Sequence, residues 1–333
     1  LKFLQLRSCI LNNEDMQLST PVKIPISTRT IGYKDKILLL GSCFADNVGK
    51  KFQEYYFQTT VNPLGTLYNP ASIAQAIQLA NSELSVETLP LVEWGGVWHS
   101  MLHHGCFSDV DKSKLIDNCL TSFGELQHQL KEASLVIITF GTSWVYEYSD
   151  NFPNKELLSQ NGLGCVIANC HKMPKENFIR RRLSVKEIVS MWQPLIDSMP
   201  DKHWIFTVSP IRHIKDGLHE NQVSKAILLQ SIDALTNVSY FPAYEIMLDE
   251  LRDYRFYAED MVHPSSVAIE YIWQRWVDTF ITATTKSEMQ SLHQLWLDKH
   301  HSILHPNSEE AIRFLERVEK QTQELKKKYP WVV

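Results

Sequence analysis

The feature that most constrains the fold is a short apolar run that ends abruptly in small residues. Gly41, Ser42 and Cys43 directly follow the apolar run Ile37 to Leu40. Such a run predicts a buried strand of the kind found in parallel sheets. After the small residues, apolar side chains recur at helical spacing, at Ala45, Val48 and Phe52. Two nucleophile-type side chains are therefore predicted to lie in the turn between a strand and a helix.

A strand-to-helix turn of this kind is where open α/β sheets bind their ligands. The N-terminus of a helix favours negative charge and lowers the pKa of a thiol placed there. An ordinary turn with a buried Ser42 and Cys43 fits the position equally well. The rest of the chain has to decide between these two interpretations.

Length and composition narrow the classes of protein to consider. The chain has 333 residues, of which 44% are hydrophobic and 21% charged, as in globular proteins long enough to bury a whole sheet. The net charge of −5 gives no electrostatic reason to expect nucleic acid or an anionic membrane as a partner. No apolar run approaches the length of a membrane span.

The cysteines and the first residues of the chain indicate in which cellular compartment the protein is expected. The six cysteines are sparse and none has CxxC spacing, which suits a reducing environment. The apolar part of residues 1–15 is short and broken, and no small-residue cleavage site follows it. Met16 is a plausible start, so we expect residues 1–15 to be an upstream extension and the protein to be cytoplasmic.

The order of the remaining segments predicts an α/β protein. Strands are predicted at 135–140, 204–208 and 238–241, with helices between them, and this alternation is typical of a doubly wound parallel sheet. Residues 81–115 and 149–182 are less regular and are interpreted as insertions. We expect one domain over 16–282 and a helical C-terminal appendage over 283–333.

Polar or glycine-rich loops follow several predicted strands and should meet at one edge of the sheet. Acyl transfer needs a nucleophile, a base, a group that orients the base, and donors for an oxyanion. Cys43 or Ser42 is the candidate nucleophile, His263 the base, and Asp260, three residues earlier, its orienter. Backbone N–H groups of the first turn and of Gly65 are candidate oxyanion donors.

The motif Leu40-Gly-Ser-Cys-Phe-Ala45 resembles the defining motif of the GSCFA domain family, a bacterial group placed with the SGNH (GDSL-like) hydrolases. The resemblance runs from about Pro21 to about Phe280. It includes, in order, Asn62-Pro-Leu-Gly-Thr-Leu-Tyr-Asn-Pro70, Gly141-Thr-Ser-Trp-Val-Tyr146, Ser209-Pro-Ile-Arg-His213, Glu220-Asn-Gln-Val-Ser-Lys225 and Asp260-x-x-His263. It implies a flavodoxin-like, SGNH hydrolase-like sheet and an enzyme acting on an ester.

The resemblance also implies roles for single residues. In SGNH hydrolases the nucleophile stands two residues after the first glycine, which is Cys43 here, and Ser42 takes the place of an aspartate. The oxyanion glycine of that family resembles Gly65, with Asn62 shortly before it. The family's oxyanion asparagine is missing, and Ser143 stands in its place. The final Asp-x-x-His is intact.

These departures bear on the reaction. A hydroxyl at Ser143 is shorter than an amide, and loss of one oxyanion donor typically costs about 10² to 10³ in rate. A thiolate is a better nucleophile than a hydroxyl at neutral pH, and a thioester is well placed to pass its acyl group to an acceptor. Cys43 as nucleophile therefore tilts the expected reaction from hydrolysis towards acyl transfer.

Two further groups are candidates for binding. Arg212 and His213 follow a predicted strand and are candidates for contact with a carboxylate, phosphate or sugar in the substrate. A structural ion pair is the alternative and fits the position equally well. The histidines and cysteine over 99–106 fit no zinc spacing. We therefore expect no metal and no organic cofactor.

Three hypotheses for function remain. The leading one is an SGNH-like esterase that acts on an acyl ester of a carbohydrate or small metabolite. The second is an acyltransferase that uses the same residues and a thioester donor. The third is a ligand-binding module that kept the fold without the catalysis. The oligomeric state is left open.

Overall fold

The computed structural model describes residues 19–27, 29–81, 89–153 and 166–332, so the predicted extension over 1–15 lies outside the described residues. The strands are β1 (Lys36–Gly41), β2 (Gln58–Val61), β3 (Leu91–Trp94), β4 (Val97–Ser100), β5 (Leu135–Phe140), β6 (Trp144–Tyr148), β7 (Val166–Ile167), β8 (Phe178–Arg182), β9 (His203–Val208) and β10 (Val238–Phe241). The longer helices are α1 (Cys43–Glu54), α2 (Pro70–Ala80), α3 (Lys112–Glu132), α4 (Val185–Ser198), α5 (Leu218–Asp233), α6 (Ser266–Phe280), α7 (Ala283–Lys299) and α8 (Glu309–Lys328).

Five parallel strands form the central sheet, in the order β10-β9-β5-β1-β2. This is the flavodoxin-like order, and the predicted doubly wound α/β fold is confirmed. The order reverses between β1 and β5, where Leu39 pairs with Ile137. Such a reversal opens a crevice at the carboxyl ends of the two strands, directly beside Ser42 and Cys43.

Each face of the sheet is covered by helices, which is why its three inner strands, β1, β5 and β9, are mostly apolar and buried. Alternate residues of a strand point to opposite faces. Leu38 and Leu40 therefore belong to one core cluster with residues of α2, α3, α4 and α5. Ile37 and Leu39 belong to the other, with residues of α1, α6, α7 and α8.

The two predicted insertions form small antiparallel sheets, the second together with β6, which lies just before the predicted start at residue 149. β3 and β4 pair as an antiparallel hairpin. β6 lies between β7 and β8 in a three-stranded antiparallel sheet. Residues 154–165, in the middle of the second insertion, lie outside the described part of the chain.

The C-terminal region is helical, and it packs against the α1 side of the sheet. Ser308 caps α8 by accepting a hydrogen bond from the Ala311 amide. Leu292, Leu295 and Val318 are buried in the same cluster as helix α1. The boundary expected at residue 282 stays a prediction. Among the described helices none is both long and apolar enough to cross a bilayer.

Candidate active site

The turn after β1 depends on Gly41. Its φ of +140° is one that side-chain-bearing residues rarely adopt, and a Cβ there would lie 2.2 Å from the carbonyl oxygen of Thr139. Because the Gly41 backbone can pack this closely against Thr139 of β5, β1 ends at Gly41 and α1 begins two residues later, at Cys43. Ser42 is the N-cap of α1, and its buried hydroxyl accepts a hydrogen bond from the Phe44 amide at 3.3 Å. Cys43 is the first residue of the helix and is half-buried.

The structure brings Cys43, His263 and Asp260 into one hydrogen-bonded chain. The Cys43 Sγ lies 3.6 Å from Nε2 of His263. The opposite ring nitrogen, Nδ1, lies 2.6 Å from Oδ2 of Asp260. The other oxygen of Asp260 accepts hydrogen bonds from the backbone amides of Val262 and His263, at 2.9 and 3.0 Å. The carboxylate is thus fixed in place and can hold His263 in one tautomer.

The loop that carries His263 is held from both sides. Met261 has a φ of 56°, unusual for a residue with a side chain, so the loop is sharply turned. Inside the loop, the Ala258 amide donates to the His263 carbonyl at 2.7 Å. From outside, Arg212 donates its backbone N–H to the Val262 carbonyl at 3.1 Å and its Nη1 to the Met261 carbonyl at 3.0 Å.

The pKa values describe the charge states along this chain. Hydrogen bonds from the backbone and then the ring of His263 lower the pKa of Asp260 to about 2, so it is ionised at neutral pH. Burial raises the pKa of Cys43 to about 11, and the Asp46 carboxylate adds to this. Backbone N–H groups of the first turn and the Lys225 charge oppose the shift. The thiol is therefore protonated at neutral pH, and attack requires a base such as His263.

Asn62 braces the turn from the neighbouring strand. Its Oδ1 accepts the backbone N–H of Gly41 at 2.8 Å, and its Nδ2 donates to Asp46 at 2.6 Å. Asn62 has a φ of 43°, a conformation that asparagine tolerates better than most residues. The amide oxygen and one of the two N–H donors of Nδ2 are used inside the protein, so at most one side-chain donor is left at this predicted oxyanion position.

Gly65 and Ser143, the other predicted oxyanion residues, are also engaged inside the protein. The Gly65 amide donates to the Asn62 carbonyl at 2.7 Å. The Ser143 hydroxyl lies 3.1 Å from the Ser224 hydroxyl, and the Ser143 side chain is fully buried. Either residue would have to exchange these bonds to reach an oxyanion. In the described part of the chain, the Cys43 amide has no hydrogen-bond acceptor other than its own sulfur.

Lys225 is a residue whose role the sequence did not indicate. Its side chain is buried at 1% exposure, and its Nζ donates to the carbonyl oxygens of Gly141 and Ser209, both at 2.7 Å. These carbonyls follow β5 and β9, so Lys225 joins two strand ends. Burial lowers its pKa to about 7, while the nearby Cys43 opposes that shift. The sequence signal that could have indicated its burial is helical spacing: Lys225 lies one position after Ser224 and three before Leu228, on the buried face of α5.

Arg212 and His213 lie next to this centre, on the loop after β9. The backbone N–H of His213 donates to the Asn221 side chain at 2.9 Å. Burial lowers the pKa of His213 to about 4, and the charge of Lys225 adds to this, so the imidazole is neutral at neutral pH. Arg212 binds the His263 loop through two of its carbonyls. Contact of either residue with substrate stays a prediction.

The histidines of the first insertion have structural partners. The fully buried His103 ring lies 2.7 Å from the Ser100 hydroxyl and 2.9 Å from that of Ser122. His99 stacks on His171 with ring centres 4.6 Å apart. Within the described ranges, no three or more His, Cys, Asp or Glu side chains are grouped to hold a metal ion.

Comparison with known proteins gives a family for this chain. The solved structure of the Clostridium thermocellum family 3 carbohydrate esterase is similar at 11% sequence identity and a TM-score of 0.30, with coverage of 78% of this chain and 98% of that one. No curated protein matches the sequence. The sequence model of the GSCFA family matches residues 36–276, which is most of the chain. The chain therefore belongs to the GSCFA family.

Proposed function

We propose that the protein is an acyl esterase in which Cys43 is the nucleophile, His263 the general base and acid, and Asp260 the residue that orients His263. The observation that carries the proposal is the unbroken line of contacts from the Cys43 sulfur through both nitrogens of His263 to Asp260. Nucleophile, base and orienter in this order form the arrangement that acyl transfer requires.

In the first half of the reaction the thiol attacks the ester carbonyl. His263 Nε2 takes the thiol proton as the carbon–sulfur bond forms, and then gives it to the alkoxide oxygen as the carbon–oxygen bond breaks. The products of this half are a Cys43 thioester and the free alcohol. Asp260, ionised at neutral pH, stabilises the imidazolium that exists between the two proton transfers.

The oxyanion that forms during attack needs donors in place of the missing asparagine. The Cys43 amide and the positive end of the α1 dipole lie at the nucleophile itself. Lys225, whose pKa is about 7, adds a positive charge near Cys43 in the fraction of molecules in which it is protonated. We propose that these groups together take the part of the side-chain amide that Ser143 does not supply.

In the second half a water molecule gives its proton to His263 and attacks the thioester, which releases the acid and restores the thiol. An alcohol or amine acceptor in place of water would make the protein an acyltransferase. The thiol nucleophile favours this second candidate, since a thioester passes its acyl group readily to another nucleophile. The expected substrate in either case is a small-molecule or glycan ester.

The test is hydrolysis of short-chain aryl esters and acetylated sugars by purified protein, with wild type beside Cys43→Ala, His263→Ala and Asp260→Asn. We expect activity to be abolished by the first two variants and reduced by about 10⁴ in the third, the size of loss known when an orienting carboxylate becomes an amide. The matched control is Cys119→Ala, which removes a buried thiol on α3. Wild-type rates equal to those of His263→Ala would rule out the esterase.

An added acceptor separates the two enzymatic candidates. Donor turnover that needs an acceptor alcohol identifies a transferase, and turnover in water alone identifies a hydrolase. If neither reaction occurs with aryl ester or thioester donors, the hypothesis of a binding module on this fold is the one that remains.

A further inference from the structure

A cavity of about 320 Å³ borders the loop after β9 that carries Arg212. It is formed by the start of α5, by the loop after β9 and by residues 244–257. Its size is at the lower end of the range for small-molecule sites, about 300 to 1,000 Å³. None of the three residues of the proposed reaction lines it, so it is a separate feature that has to be explained.

The cavity shares a wall with the proposed reaction centre. Arg212 lines the cavity, and the same residue binds the carbonyls of Met261 and Val262 in the His263 loop. Tyr244 also lines it, and the Lys225 ammonium lies 5.5 Å from the centre of that ring. A ligand in this cavity would therefore lie beside the loop that carries His263.

The lining is aromatic and carries excess positive charge. Three tyrosines line the cavity, and the Arg212 guanidinium lies 5.2 Å from the ring centre of Tyr257 and 5.8 Å from that of Tyr254. Asp253 is the acidic residue of the lining, and it is already bound by Arg255 through a side-chain contact of 2.8 Å. Within the described residues, Arg212 has no carboxylate within ion-pair distance. The guanidinium donors of Arg212 that have no partner can bind a ligand carboxylate through two parallel hydrogen bonds.

We propose that this cavity binds the alcohol half of the ester, and that it selects an alcohol with a six-membered ring bearing a carboxylate. The position follows from the reaction, because His263 must hand its proton to the leaving oxygen, so the alcohol half lies on the His263 side. The ring stacks on the tyrosines and the carboxylate pairs with Arg212. Phenolic acids and uronic sugars share this chemistry. The inference rests on the proposed function for its reaction, while the binding itself can be measured without it.

The kinetic test uses two esters that differ only in charge, para-acetoxybenzoate and the uncharged para-acetoxybenzamide. We expect wild-type kcat/KM to favour the carboxylate by about 10-fold or more, as for charge-assisted pairs. In Arg212→Gln this preference should fall close to 1. The ratio is the readout because any effect of Arg212 on the His263 loop acts on both esters alike. Equal wild-type rates on the two esters would overturn the inference while leaving the esterase intact.

The binding test is calorimetry on Cys43→Ala with para-hydroxybenzoate and with glucuronate, each against its amide. We expect binding of at least one acid, weakened by salt and lost in Cys43→Ala/Arg212→Gln. The acid that binds more tightly shows whether the natural alcohol is a phenolic acid or a uronic sugar. Tyr254→Ala is a second variant that should weaken binding without disturbing the fold, because that ring is 67% exposed. Absence of binding by both acids overturns the inference. Binding without any ester hydrolysis supports the cavity and rejects the esterase.

Discussion

The Cys43 sulfur lies 3.6 Å from Nε2 of His263, although the two residues are 220 positions apart in the chain. The neighbouring hydroxyl of Ser42 is turned inward and caps α1. The strand-to-helix turn thus separates two adjacent nucleophile-type side chains into one that contacts the histidine and one that stabilises the helix.

This separation gives the first prediction. Ser42→Ala should keep most of the esterase activity and lower the free energy of unfolding by about 1 kcal/mol, the usual cost of losing an N-cap. Cys43→Ala should do the reverse, abolishing activity with little change in stability. Initial ester hydrolysis rates and urea unfolding of both variants provide the comparison. Loss of activity in Ser42→Ala with full activity in Cys43→Ala would make Ser42 the nucleophile.

The raised pKa of Cys43 predicts how the thiol reacts with alkylating agents. With a pKa of about 11, the thiolate fraction and hence the iodoacetamide rate at Cys43 should rise about tenfold per pH unit from pH 7 to pH 10. Asp46→Asn removes a charge that raises this pKa, so the profile should move to lower pH. Mass spectrometry of the digest follows Cys43, with the exposed Cys106 as an internal control. A rate that levels off below pH 8 would indicate a thiolate–imidazolium pair instead.

Lys225 predicts a pH dependence of stability. Its pKa is about 7 in the folded protein and close to 10.5 when unfolded, so between these values the unfolded chain binds the extra proton. The free energy of unfolding should therefore rise with pH in this window. The window from pH 7 to 9 is the clearest, since Cys43, with its raised pKa, acts in the opposite sense above pH 9.

Lys225→Met should flatten that rise relative to wild type, and urea unfolding at several pH values measures it. The variant also leaves the Gly141 and Ser209 carbonyls without their donor, at about 1 to 3 kcal/mol each. Lys225→Gln keeps a donor and is the second variant. Equal slopes in wild type and both variants would show that Lys225 stays protonated in the folded state.

Gly41 and Gly124 form a matched pair of glycines, one in a tight turn and one inside a helix, that tests the backbone geometry at Gly41. Gly41→Ala should destabilise by about 2 to 3 kcal/mol or prevent folding, because its Cβ would collide with the Thr139 carbonyl. Gly124 lies inside α3 with nothing within 4 Å of an added Cβ, so Gly124→Ala should stabilise by about 0.5 to 1 kcal/mol. Thermal and urea unfolding give both values. A tolerated Gly41→Ala would contradict the tight turn on which the position of Cys43 depends.

The fold could be predicted from the sequence because its signals are local and strong. The apolar runs before Gly41 and Gly141 indicate two buried strands, and the alternation of strands with amphipathic helices indicates a parallel sheet. The cap of α4 is equally local, since Ser184 and Glu187, three residues apart, form a capping box.

The details of the site depend on tertiary contacts that no spacing encodes. Asn62 and Ser143 have the residue types of oxyanion donors, but Asn62 donates to Asp46 and the Ser143 hydroxyl is bound to Ser224, and neither contact could be read from the sequence. The burial of Lys225 and its link between two strand ends arise only once the helix is packed. Cys43 and Ser42 could not be distinguished before the turn geometry fixed which of them faces His263.

The most direct measurement of the central claim is mass spectrometry of the protein quenched shortly after mixing with para-nitrophenyl acetate. We predict an acetyl group on the peptide that contains Cys43, formed as fast as the initial release of nitrophenol and absent in His263→Ala. The adduct should be labile to hydroxylamine at neutral pH, as a thioester is. An acetyl group on Ser42, or nitrophenol release from wild type with no adduct at Cys43 at any time, would contradict the account.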